Sequence, residues 1–221
     1  MKLKFLPASY TCCVALLWLT QPACLRAQDA RDNDTNEPAE EEAAEPPEQL
    51  SPEAWEEKFK KEQEAEKATV SRMMKVFTAL EGPWTGRESL RYEEDRLPAK
   101  NWKDEWEGKF TFAGRYFEMD GQTTGEDMNS AYKWVCTYDV TLQRYRAWYF
   151  GETSHTEYAG KLSQDGKHVI WSIKNEGNGS ETRFTMKAEG NRVKCHGTDT
   201  LADGSLFSTQ TSEYTRKRVE L

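Results

Sequence analysis

The sequence predicts a mainly β protein: an antiparallel, up-and-down meander of about ten strands closed into a barrel and preceded by one helix. Three observations predict it. From Trp84 onward, apolar and polar residues alternate with a period of two. Turn signals at Asp165-Gly166, Gly177-Asn178-Gly179, Glu189-Gly190-Asn191 and Asp203-Gly204 recur at the spacing of antiparallel hairpins. No helical pattern interrupts the run between 84 and 216, which excludes parallel crossover units. Such a meander buries its apolar face most simply by closing on itself. A flattened two-sheet sandwich is the other arrangement the pattern allows.

The 221 residues are 37% hydrophobic, 31% charged and 12% aromatic, with a formal net charge of −8. This is too polar for a membrane protein and too aromatic for a wholly disordered chain. The acidity argues against a nucleic-acid partner, because phosphate contact needs clustered Lys and Arg. Charge is unevenly spread. Residues 1–27 carry +3 and residues 28–50 carry −8, so the rest carries only −3.

The basic start, Lys2 and Lys4, precedes a short apolar run from Cys12 to Leu19, and Leu25-Arg26-Ala27 ends in a small residue. Residues 1–27 read as a cleaved signal peptide, so the protein is expected to be secreted or periplasmic. A lipoprotein cut before Cys24 is the alternative, but Gln21-Pro22-Ala23 lacks the aliphatic residue of such sites. The apolar run falls short of the roughly 20 residues a spanning helix needs, so no membrane span is expected. Cys136 and Cys195 remain after cleavage. They either pair in an oxidising compartment or pack as two buried thiols.

Residues 28–50 hold nine acids and no aromatic, and read as a disordered acidic spacer that cannot offset its ordering entropy. Ser51-Pro52 suits a helix start, and Glu53, Glu56 and Glu57 favour its positive end. Trp55 and Phe59, then Val70, Met73, Met74, Phe77 and Leu80, follow at helical spacing, giving an amphipathic helix over 51–81. The nearly continuous charge of 60–67 leaves its first half for solvent. Gly82-Pro83 ends it, and residues 82–218 form the barrel domain.

In the strands, Trp102, Asp104, Trp106, Gly108, Phe110 and Phe112 share one face, and Tyr132, Trp134, Cys136 and Tyr138 repeat the pattern. If Trp84 faces inward, so do Glu88 and Tyr92. If Arg216 does, so do Tyr214, Ser212, Gln210, Ser208 and Leu206. The expected interior is a cavity lined by Tyr92, Trp106, Phe110, Tyr138, Phe184 and Met186, with Glu88 and Gln210 as its polar groups. A register slip of one residue in the last strand would exchange its two faces.

Gly82-Pro83-Trp84, opening the first strand after a helix, resembles the G-x-W start of calycin barrels, the lipocalins and their relatives. In that superfamily an Arg from the last strand packs over the Trp. The resemblance implies that role for Arg216, with Arg218 as the other choice, so Trp84 and Arg216 are the expected structural end plug. Gly114-Arg115-Tyr116-Phe117, Tyr138-Asp139, Tyr145, Trp148 and the Gly160 to Gly166 hairpin are similar to an uncharacterised lipocalin-like family of bacterial secreted proteins, domain-of-unknown-function family number 1579. The likeness covers roughly residues 75–218. The chain departs from that pattern after Trp148, where Tyr149-Phe150-Gly151-Glu152 stands in place of an early acidic residue. The resemblance implies a fold and no settled activity.

The chemistry-bearing residues are sparse. Strand alternation puts His168 and His196 on the outside, and His155 reads as a loop residue. Neighbouring Cys195 and His196 point to opposite faces, so no metal or haem site is expected. No G-x-S-x-G and no Gly-rich phosphate loop is present. The expected function is binding of a small apolar or amphiphilic molecule in the barrel, without a cofactor. The rivals are a structural or interaction module at the cell envelope and an enzyme using Glu88 as an interior carboxylate. Interior volume separates the first two, because large side chains that fill the barrel argue for the structural module.

Overall fold

The computed structural model describes residues 51–93 and 97–217. The expected signal peptide and acidic spacer, residues 1–50, and Arg218 lie outside them. The chain divides into two compact units, one including residues 51–62 and the other including the described residues from 63 onward. In the first, Ser51 caps helix α1 (Pro52–Met74) by accepting the Ala54 N–H on its Oγ at 3.3 Å. Lys61 pairs with Glu57 one turn away, and the Lys58 ammonium lies 5.3 Å from the Trp55 ring centre. Trp55 and Phe59 are exposed.

In the second unit, the last turns of α1 give way to a 3₁₀ segment, Lys75–Leu80. Val70, Met74, Phe77 and Leu80 are buried, and all four belong to the main core. Ten antiparallel strands follow: β1 (Gly82–Tyr92), β2 (Lys100–Thr111), β3 (Tyr116–Thr124), β4 (Asn129–Asp139), β5 (Arg144–Gly151), β6 (His155–Leu162), β7 (Val169–Lys174), β8 (Glu181–Glu189), β9 (Arg192–Thr200) and β10 (Leu206–Arg216). Each pairs with its sequence neighbours, and β1 pairs with β10, so the sheet is a closed barrel with no free edge. At the seam Trp84 faces Arg216, and Tyr92 faces Ser208.

The interior is aromatic. Trp84, Trp106, Phe117, Trp134, Tyr145, Tyr158, Trp171, Phe184 and Tyr214 form one continuous buried cluster. Glycines on adjoining strands make room for the rings. A Cβ on Gly121 would come within 2.2 Å of the Tyr132 ring opposite it, and one on Gly86 would collide with Tyr214. A second cluster, Leu90, Tyr92, Trp102 and Met128, fills the end of the barrel away from the 3₁₀ segment.

Three positions read from alternation come out differently. β2 ends at Thr111, and Phe112 and Ala113 take left-handed backbone angles, which turn Phe112 outward to 78% exposure. Register shifts between Leu206 and Ser208, so Leu206 is exposed and Phe207 packs against Tyr92 instead. His168 is buried although alternation from Val169 turns it out. It precedes β7 in a turn where Ser163 N–H donates to its carbonyl and Ser163 Oγ accepts its N–H, so strand parity does not govern it. Cys136 and Cys195 are buried and not joined by a disulfide, which selects packed thiols over a cross-link.

Candidate functional site

Two interior features stand next to each other. The first is a buried acid pair. Glu88 is inward on β1 and 1% exposed, and Asp104 is inward on β2 and 0% exposed. The Tyr214 hydroxyl lies 2.6 Å from Glu88 Oε1 and 3.0 Å from Asp104 Oδ2. Tyr132 donates to Asp104 Oδ2 at 2.9 Å, and Thr123 donates to Oδ1 at 3.0 Å. Gln210 Nε2 donates to Glu88 Oε2 at 3.5 Å. A side-chain hydrogen bond also joins Asp104 to Glu88. Both carboxyl groups also meet on the one Tyr214 hydroxyl, so the charge of each acts on the other. Burial pushes the Asp104 carboxyl up, against the hydrogen bonds from Tyr132, Thr123 and Tyr214 that pull it down.

The second feature is a cavity of about 30 Å³. Phe77 and Leu80 of the 3₁₀ segment, Trp106, Trp134, Trp171 and Phe184 contribute its apolar walls. Tyr132 and Tyr214 line it too, so their rings separate it from the acid pair that their hydroxyls contact. Val76, Met186, Ala188 and Lys167, none of them buried, form its solvent-side rim beside His168.

Among the described residues, two polar groups of this lining are buried without a hydrogen-bond partner: the indole N–H of Trp106, 4% exposed, and Nδ1 of His168, 8% exposed. Asp165 Oδ1 stands 3.4 Å from that Nδ1 without hydrogen-bond geometry. It already accepts from the Ser163 hydroxyl at 2.5 Å and the Lys167 N–H at 3.1 Å. Desolvation, with Lys187 nearby, holds the His168 imidazole below its ordinary value, and Asp165 opposes this. His168 is therefore neutral at neutral pH, with one ring nitrogen able to donate.

Of the residues expected to line a cavity, Trp106, Phe184 and Met186 do. Glu88 and Gln210 form the acid cluster behind its wall. Tyr92 belongs to the far-end cluster, Phe110 packs edge-on against Phe117, and Tyr138 packs edge-on against Tyr145. Trp84 and Arg216 stack with the guanidinium 4.6 Å from the ring centre. Asp104 and Tyr214 stood on the inward faces read from the sequence, yet their meeting with Glu88 is legible only once β2 and β10 are known to flank β1. Phe77 and Lys167 carried no signal as cavity residues. Among the described residues no group of three His, Cys, Asp or Glu stands together as a metal site, and no helix is long and apolar enough to cross a membrane.

No family model and no curated protein matches the sequence. Solved structures match its shape. Rv2717c of Mycobacterium tuberculosis superposes with a TM-score of 0.50 at 10% identity, over 67% of this chain and 99% of its own. The S-type phycobiliprotein lyase CPES of Guillardia theta gives a TM-score of 0.49 at 8% identity, over 66% of this chain and 93% of its own. The likeness extends to the closed antiparallel barrel, a lipocalin-like fold. At these identities the likeness is one of fold. The sites of this barrel rest on its own residues.

Proposed function

We propose that this calycin barrel binds a small, mainly apolar molecule bearing a hydrogen-bond acceptor, in the cavity beneath Phe77. The observation that carries the reading is the unpartnered Trp106 N–H in an aromatic-walled space. A buried donor without a partner costs about 1–3 kcal/mol, a penalty that a bound acceptor removes. The unoccupied volume corresponds to about two water molecules. A larger guest therefore enters by moving a wall side chain, and Phe77 is the candidate because its 3₁₀ segment is not held in the sheet ladder. Titration with a neutral, environment-sensitive naphthalene dye tests the reading. Saturable micromolar binding that quenches tryptophan fluorescence is expected, and its absence in the wild-type protein overturns it.

The small volume also favours a second reading, a barrel filled with its own aromatic side chains that serves as a structural module at the cell envelope. The same titration separates the two. In both, the protein is exported after cleavage at Ala27 and acts as a secreted or periplasmic protein. Intact mass of the exported form is expected to begin near Gln28, and retention of residues 1–27 would contradict export by cleavage.

A further inference from the structure

We propose that the guest is an anion: a molecule with an aromatic or other apolar body whose carboxylate is received by Lys167 and His168 at the rim. This rests on the cavity reading above and names its ligand class. The argument is one of donors. Among the described residues lining the cavity there is no Asp or Glu, whereas Lys167 and His168 both line it. Deep in the cavity, the unpartnered Trp106 N–H is a donor only. The Tyr132 hydroxyl is committed outward to Asp104, and the Trp134 side chain to the Cys136 sulfur. A guest held by this lining offers acceptors at both ends.

The two ends lie on opposite walls. Trp106 is on β2 and His168 immediately precedes β7, five strands apart in the ring of ten. An elongated guest crossing the barrel meets Trp106 at one end and the rim at the other. Charge at the rim decides what the outer end is. Lys167 lines it, and Lys187 acts on His168 from β8. Asp165 is the opposing charge, and its Oδ1 is occupied by Ser163 and the Lys167 backbone. A carboxylate accepts from the Lys167 ammonium and from the imidazole together, and such charge-assisted bonds are about twice as strong as neutral ones.

The test compares 2-naphthoate with 2-naphthalenemethanol, which share one apolar body, by quenching of tryptophan fluorescence in the wild-type protein. The expected result is naphthoate binding about tenfold more tightly, the effect of one hydrogen bond to a charged group. Lys167→Ala, at an exposed position that leaves the core intact, should bring naphthoate down to the alcohol's affinity. Trp106→Phe should weaken both probes alike. Equal affinities in the wild type, or a naphthoate preference that Lys167→Ala leaves unchanged, overturn the anion assignment while the cavity reading stands. Binding of neither probe overturns the cavity reading, and the assignment with it.

Discussion

Asp104 shows how one buried carboxyl ties the stability of the barrel to pH. In the unfolded chain it titrates near its ordinary value of 3.8, and in the folded barrel its value is raised. The folded state therefore holds this proton more tightly than the unfolded one. The stabilisation is complete below the ordinary value and is lost as pH rises through the folded one. Asp104→Asn keeps much of the shape and removes the titration. Its melting temperature relative to wild type should therefore rise between about pH 4 and neutrality. A difference that stays constant over that range would mean that Asp104 titrates alike in both states. The thiols give a second residue-scale expectation. Burial raises Cys136, and Cys195 is buried too, so neither thiol is open to a reagent in the folded protein. Peptide mapping after treatment with a thiol reagent should find both unmodified in the folded protein and both modified in denaturant. Rapid modification of Cys136 in native buffer would contradict its position inside the barrel.

At the scale of the strand, glycine and aromatic residues act as facing pairs. Tyr132 reaches Asp104 across Gly121, and Tyr214 reaches the acid pair across Gly86. Gly121→Ala forces the Tyr132 ring away and should cost about 3 kcal/mol, the upper part of the range for overpacking. Gly114→Ala is the control. Its position has φ of 84° and nothing within 4 Å of an added Cβ, so only backbone strain, about 1 kcal/mol, is expected. Equal costs in denaturant melts would show that the close ring contact contributes nothing. The same strands show what alternation can and cannot reveal. Trp102 to Phe110 and Tyr132 to Tyr138 follow their inward parity because a regular strand has no other choice. Parity fails at Phe112, Leu206 and His168, where a left-handed turn, a register shift and a side-chain-bonded turn intervene. These depend on local backbone angles that composition does not encode. The failure at His168 matters most, because it hid the rim of the candidate site.

For the whole molecule, the turn glycines specify the order of the strands, and closure requires the first and last strands to meet. That pairing is the longest-range contact in the sheet, and the likeness to calycin barrels anticipated it through Trp84 and Arg216. The acid pair and cavity were less legible, since each draws residues from strands far apart in sequence. Arg216 joins three parts of the fold. Its guanidinium stacks on Trp84 and donates to the carbonyls of Glu81 at 2.6 Å and Ala79 at 3.2 Å. The Trp84 indole N–H in turn donates to the Leu80 carbonyl at 3.0 Å. Carbonyls at the end of the 3₁₀ segment are thus satisfied by the two residues that face each other across the seam. Trp84→Ala removes a fully buried indole and should cost about 3–5 kcal/mol. Arg216→Ala should cost less, because the residue is exposed and water can replace part of its hydrogen bonding. In the Trp84→Ala background it should cost less again, since the guanidinium has lost its platform. A coupling of about 0.5 kcal/mol or more in a double-mutant cycle, read from urea melts, is expected of two side chains in direct contact. Additive costs would mean that the carbonyl bonds alone hold Arg216, and that Trp84 closes this end of the barrel without it.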